Sequence, residues 1–294
     1  MSFEKQTRTS HKKIAIIGLG LIGGSLGFVL KKRFPNYEVI GLSRSPAKIN
    51  LAKKKAIIDW GSIHSRKVLN QADLVFICTP VSAITHWIGE AEKWGKSGML
   101  VTDVGSTKQE IVRWAESQRF KKICFVGAHP MAGSHQSGIE FARSDLFRGS
   151  LTFVTKTPKT DSEALKKIVN FWKKISERVV VLNPSQHDRI TAQISHTPHA
   201  LASILLLSVS RNFLSYAASG FLDTTRIAQG DPGLWLDILM SNNLFLIQAL
   251  RRHLKMVDQF IGYLKRGRKS KIFSLLKKSS MMRKKINHPP QTLV

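Results

Sequence analysis

A chain of 294 residues with 43% hydrophobic content is long enough for one large domain or two ordinary ones, and a real core can form. The formal net charge of +27 predicts attraction to anions and nonspecific adhesion to polyanions, without by itself specifying a nucleic-acid function. No apolar run is long enough to cross a bilayer, Met1–His11 lacks the apolar segment of a secretory leader, and the two cysteines fit no disulfide framework or metal spacing.

Residues 1–12 read as a disordered N-terminus. From residue 13 a short β-branched run enters Gly18-Leu19-Gly20-Leu21-Ile22-Gly23, and a helical pattern follows. Strand, G-x-G-x-x-G turn and helix together form a dinucleotide fingerprint. Gly18 permits the tight turn, Gly20 admits a pyrophosphate, and Gly23 lets the helix pack against the strand. The phosphates are expected beside Leu21 and Ile22, at a helix N-terminus where free N–H groups favour anions. Further strands are predicted at 38–42, 74–78, 99–102, 123–126, 152–155 and 178–181, with amphipathic helices at 47–54, 82–94, 108–117 and 161–175. This alternation predicts a Rossmann-type doubly wound parallel sheet over residues 13–182. Cys78 and Cys124 fall in predicted strands and read as core thiols of a reducing, cytoplasmic setting.

The predicted second strand ends in Ser43-Arg44, where an acidic residue would bind the ribose 2′-hydroxyl of NAD. Ser and Arg accept a 2′-phosphate instead, which favours NADP over NAD. The alternative is that Arg44 only stacks on adenine. Other strand ends carry Thr79-Pro80, placed beside the cofactor, then Ser106 within 103–108, and His129 within 127–135. A His on a glycine-flanked turn at this edge is positioned to face substrate, and Ser106 on the neighbouring strand end is positioned to orient it.

Past Asn183-Pro184 no strand pattern is visible, and residues 183–265 read as an all-α domain. A long apolar helix over 186–213 is interrupted at Pro198, and Asp231-Pro232 starts another. Leu244, Ile247, Leu254, Val257, Ile261 and Leu264 recur at threes and fours, an apolar face suited to a homodimer interface. Arg226, in an otherwise apolar helical region, needs an anionic partner, either Asp223 or a substrate carboxylate. His196 and His199 lack a third ligand, so no metal is expected. Residues 266–294 form a basic tail, read as solvated and partly disordered, with nonspecific polyanion contact as the sharper reading.

Together the segments 18–25, 103–108, 127–133, 195–199 and 223–235 resemble the prephenate/arogenate dehydrogenase family of tyrosine biosynthesis. The resemblance implies an N-terminal nucleotide-binding domain, a C-terminal helical dimerisation domain, and oxidative decarboxylation of prephenate or arogenate with hydride transfer to NAD(P). It also implies that His129 deprotonates the ring hydroxyl with Ser106 supporting it, in an activity that rises through a pKa near neutrality. Arg226 would clamp the side-chain carboxylate, His199 would lie near the ring carboxylate, and Ser195, Ser134 and Trp235 would line the pocket. Where many relatives carry Glu, this chain has His135, which leaves no acid there for the ammonium of arogenate and tilts the substrate toward prephenate. Ser43-Arg44 pulls toward arogenate, since NADP-using relatives often take it. Two rivals remain. A β-hydroxyacid-type dehydrogenase would need a catalytic Lys that 186–199 lacks, and a non-catalytic basic nucleotide-binding protein leaves His129, Ser106 and Arg226 unexplained.

Overall fold

The computed structural model describes residues 12–133 and 136–286. The expected features at 1–11, Ser134, His135 and 287–294 lie outside the described residues. Six parallel strands with intervening helices are present, of which β3 and α3 were not predicted: β1 (Lys12–Ile17), α1 (Leu21–Arg33), β2 (Tyr37–Leu42), α2 (Pro46–Lys54), β3 (Trp60–Ser62), α3 (Ser65–Leu69), β4 (Leu74–Ile77), α4 (Val81–Trp94), β5 (Met99–Asp103), α5 (Gln109–Ser117) and β6 (Ile123–Val126). Their order is β3-β2-β1-β4-β5-β6, which puts the switch point between β1 and β4. Period-two alternation decides which layer each strand residue meets. Ile14, Ile16 and Phe76 pack with Leu26 and Leu30 on one face. Ala15, Ile17, Val75 and Ile77 pack with Leu69, Ile84 and Ile88 on the other. Both faces are covered, as a parallel sheet requires.

The last predicted strands do not extend this sheet. β7 (Ala128–Pro130) pairs antiparallel with β8 (Leu151–Thr155), and β8 pairs parallel with β9 (Arg178–Leu182) across α6 (Ser162–Lys173). The chain leaves β6 at Gly127, whose carbonyl accepts both the backbone N–H (2.8 Å) and the hydroxyl (3.2 Å) of Thr155. That turn reverses the chain and sets His129 opposite Phe153.

The helical stretch predicted over 186–213 is broken into pieces. α7 (Pro184–Thr191) starts on a capping box between Asn183 and Gln186 with Pro184 in the first turn. A π turn at Ala192–His196 precedes α8 (Thr197–Ser208). The cause is Pro198, which has no N–H and whose ring excludes the carbonyl four residues back. The widened turn is closed by the Thr197 hydroxyl donating to the Ala192 carbonyl at 2.6 Å. A 3-10 turn at Arg211–Tyr216, α9 (Ser219–Thr225), a second 3-10 turn at Arg226–Gln229 and α10 (Pro232–Ser241) follow. Asp231 caps α10 by accepting the Leu234 N–H at 2.8 Å.

By spatial compactness the chain divides between Asn242 and Asn243, so that α7 and α10 group with the nucleotide half. The reason is polar stitching. Ser82 donates to Asp237 (2.5 Å), Ser241 to Thr107 (3.0 Å), and Asn242 to the Asp188 carbonyl (2.8 Å). The first two bonds tie α10 to the nucleotide half, and the third ties α7 to the end of α10. The second unit consists of α11 (Asn243–Lys265) and α12 (Lys269–Ile286). The basic segment predicted to be partly disordered is therefore helical as far as Ile286. No single helix among the described residues is long and apolar enough to cross a membrane.

Candidate active site

Gly18 sits at φ +94°, a conformation that disfavours other residues, and a Cβ there would lie 2.6 Å from the Cys78 carbonyl oxygen. A Cβ on Gly23 would meet the Gly18 carbonyl oxygen at 2.0 Å, so α1 approaches the turn as closely as a backbone can. Gly20 differs: a Cβ there meets nothing within 4 Å. It is the N-cap of α1, so the N–H groups of Leu21, Ile22 and Gly23 have no acceptor within the helix, and the first turn carries no acid. Beside it the buried Thr79 hydroxyl has no hydrogen-bond partner. An open cradle, free helix-end donors and an unpaired hydroxyl together fit the phosphates of a dinucleotide.

Gly20, Leu21, Ile22, Thr79 and Pro80 line a cavity of about 580 Å³, and Ser106, His129, Ser195, His196, Arg226, Asp231 and Trp235 line the same space. The structure thus brings together most of the sequence-predicted site. Ser43 and Arg44 follow β2 and are not among the lining residues; Arg44 is exposed. His199 is not a lining residue either. It stacks on Trp235 with ring centroids 3.5 Å apart and planes 10° from parallel. Its neighbour in sequence, His196, faces the cavity instead, with Nε2 buried and unpartnered and Nδ1 3.1 Å from the Asn242 side-chain amide. Arg226, expected inside an apolar bundle, is exposed on the 3-10 turn after α9. Among the described residues no ion pair joins it to Asp223, which leaves its guanidinium to the cavity.

A buried polar network holds the sheet-side wall. Asp103 and Lys108 form a fully buried ion pair. Asp103 also accepts the N–H of Gly105 (2.8 Å) and of Ala128 (3.2 Å), so one carboxylate ties the Ser106 loop to the strand that carries His129. Burial pushes the Asp103 pKa up, while Lys108 and the two backbone donors pull it back. Asp188 of α7 clasps the start of α5 through the N–H groups of Lys108 (2.8 Å) and Gln109 (2.9 Å). The same side chain meets His187 Nδ1 at 2.7 Å, and His187 Nε2 lies 2.8 Å from His129 Nδ1. Ser106 lines the cavity near this wall, but the ring that hydrogen-bonds His129 is His187.

Sequence reasoning missed His187 and Asp188. Their only local signal is a His-Asp pair one turn into a well-capped helix. Burial lowers the His129 pKa well below 6.5, with the His187, Lys108 and His196 charges acting in the same direction. Burial thus favours the neutral imidazole, the form able to accept a proton. Burial likewise lowers His196, to about 4, and lowers His199.

The model for the nucleotide-binding domain of prephenate dehydrogenase matches residues 26–181, and the model for its dimerization domain matches residues 183–278. Prephenate dehydrogenase of Bacillus subtilis is 34% identical over 271 residues, covering 90% of this chain and 73% of the relative. The crystal structure of prephenate dehydrogenase from Aquifex aeolicus in complex with hydroxyphenyl propionate and NAD+ superposes with a TM-score of 0.88 at 29% identity, covering 95% of this chain and 99% of that one. Arogenate dehydrogenase of Synechocystis gives a TM-score of 0.80 at 28% identity, covering 93% and 99%. The chain belongs to the prephenate dehydrogenase family, as an oxidoreductase that uses a pyridine nucleotide.

Proposed function

From that membership we propose that the chain oxidatively decarboxylates prephenate to 4-hydroxyphenylpyruvate, with His129 as the base. The observation that carries this reading is the shared cavity, in which a phosphate cradle, a neutral buried imidazole and a free guanidinium face one space. The nucleotide, when bound, accepts the hydride from the ring carbon that bears the hydroxyl. His129 takes the hydroxyl proton as that hydride leaves. The bond between the ring and its carboxylate then breaks, CO2 departs, and the electron pair completes the aromatic ring. His129 returns its proton to the phenolate oxygen. Ser106 holds the reacting end of the ring, and Arg226 pairs with the side-chain carboxylate. His196 faces the space assigned by the resemblance to His199, which acts instead by fixing the Trp235 indole. Ser195 and Trp235 complete the helical wall.

The substrate's side chain is a keto acid in prephenate and an amino acid in arogenate. Asp231 is the carboxylate among the described lining residues, and its Oδ1 is engaged with the Leu234 N–H. The preference for the keto acid rests on the relatives named prephenate dehydrogenase, with arogenate as the second reading. Ser43 and Arg44 at the end of β2 support NADP over NAD. The exposed apolar side chains of α11, from Leu244 (67%) through Leu254 (61%) to Leu264 (57%), support a homodimer. The free cysteines suit a reducing cytoplasm.

Incubation of the enzyme with prephenate or arogenate and NADP or NAD, following absorbance of the reduced nucleotide, tests the assignment. Prephenate with NADP is expected to give the highest kcat/KM. Turnover of arogenate alone overturns the substrate assignment, and a clear preference for NAD overturns the role of Arg44. A stable monomer at micromolar concentration in sedimentation overturns the dimer.

A further inference from the structure

We propose that His187 and Asp188 are a buried relay that fixes the tautomer of His129, so that its Nε2 carries a lone pair into the cavity. The proposal rests on the reading of His129 as the base. It follows from donor counting along two hydrogen bonds. The Asp188 carboxylate already accepts backbone N–H groups at both oxygens, Lys108 at Oδ1 and Gln109 at Oδ2. These donors sit at the N-terminus of α5, which stabilises the ionised form. An ionised carboxylate only accepts, so the hydrogen between Asp188 Oδ1 and His187 Nδ1 belongs to the imidazole. A neutral imidazole protonated at Nδ1 has a bare Nε2. That bare nitrogen lies 2.8 Å from His129 Nδ1, so His129 must donate there. A neutral His129 that donates from Nδ1 leaves Nε2 unprotonated, which is the form a base requires.

The surroundings keep this chain of bonds single-valued. His187 and Asp188 are 0% and 1% exposed, so water does not supply an alternative donor. Phe153 meets the His187 ring edge-on, with centroids 5.3 Å apart and planes at 89°. Lys108, whose charge acts on both rings, is paired with Asp103. His196, the remaining titratable neighbour, is held by Asn242 and stays neutral. Burial raises the Asp188 pKa, opposed by the same two backbone donors and by Lys108, and burial keeps His187 neutral.

The relay makes both residues positioning residues, with a signature that a merely structural clasp on α5 lacks. In Asp188→Asn with the amide oxygen at the Oδ2 position, the Gln109 N–H is kept, the Lys108 N–H loses its acceptor, and the amide nitrogen at the Oδ1 position donates to His187 Nδ1. The hydrogen then moves to His187 Nε2, and from there His129 is driven to the Nε2–H form, which cannot accept a proton. Nitrogen-15 NMR of ring-labelled histidine in the whole enzyme reads this directly. Wild type is expected to show His129 protonated at Nδ1, and Asp188→Asn to show it protonated at Nε2. Asp188→Asn should lose about 10²- to 10⁴-fold in kcat with KM and nucleotide Kd within about twofold. His187→Gln, whose side-chain oxygen still accepts from His129 Nδ1, should retain more turnover than His187→Leu. Protonation of His129 at Nε2 in the wild-type enzyme overturns the relay, even if the variants fail to fold. So does a folded Asp188→Asn with kcat within threefold of wild type. Full turnover in His129→Asn would instead overturn the assignment of the base.

Discussion

The two walls of the cavity are built differently. On the sheet side, Asp103, Lys108, His187 and Asp188 are buried to 1% or less and bonded to one another or to backbone, and His129 is held among them. On the helical side, Arg226 is exposed on a short 3-10 turn and Ser195 and Trp235 are half-buried. The comparison separates two tasks. On the proposed reading a proton moves between fixed atoms, and its acceptor is held by this buried network. On the same reading the charged substrate tail is met by a long cation, and the exposed Arg226 guanidinium would serve without a burial cost.

Breaking the buried side should have the largest effect. Lys108→Met leaves the Asp103 carboxylate buried without its cation, and should cost about 3–5 kcal/mol of stability by urea unfolding. A loss below about 1 kcal/mol would make the two walls energetically alike. Breaking the exposed side should leave the fold intact. Arg226→Gln should raise KM for the substrate about 10- to 100-fold, equivalent to one charge-assisted pair, with the melting temperature and nucleotide Kd unchanged. An unchanged KM removes Arg226 from recognition.

A smaller effect sharpens the comparison through pH. His196 has a pKa near 4 in the folded chain against an ordinary 6.5. Between those values the unfolded chain binds a proton that the folded chain does not, so this contribution to stability grows with pH and is lost as pH falls from 6.5 toward 4. His129 and His187 act with the same sign, while Asp103 and Asp188, with raised pKa values, act with the opposite sign. Urea unfolding at pH 7 and pH 5 should show about 2 kcal/mol of pH-dependent loss that His196→Asn removes. An equal loss in the variant would show that His196 is not held neutral by the fold.

The glycine turn and the segment around His129 were legible because their chemistry is local. Gly18, Gly20 and Gly23 act within six residues, and His129 comes just after the end of the predicted strand at 123–126. β3 and β7 were not legible, because three-residue strands carry no periodicity, and without β7 the second sheet could not be foreseen. The segment at 266–294 read as a solvated tail because its charge outweighed the weaker helical period of the part that forms α12. Arg226 could be assigned to a carboxylate from its neighbours, but not its exposure, which depends on how α8, α9 and α10 pack. His187 is 58 residues from His129 in the chain, so only the fold reveals that the two rings meet. Likewise, that His196 lines the cavity was not legible, because period counting does not register the π turn that carries it.

The central claim is that a locked, neutral His129 is the base. The most direct measurement is single-turnover kinetics of His129→Asn with prephenate, alongside nucleotide binding to the same protein. The account predicts loss of about 10³-fold or more in the rate of nucleotide reduction, with nucleotide Kd within about twofold of wild type. A rate within tenfold of wild type, with binding intact, would contradict it.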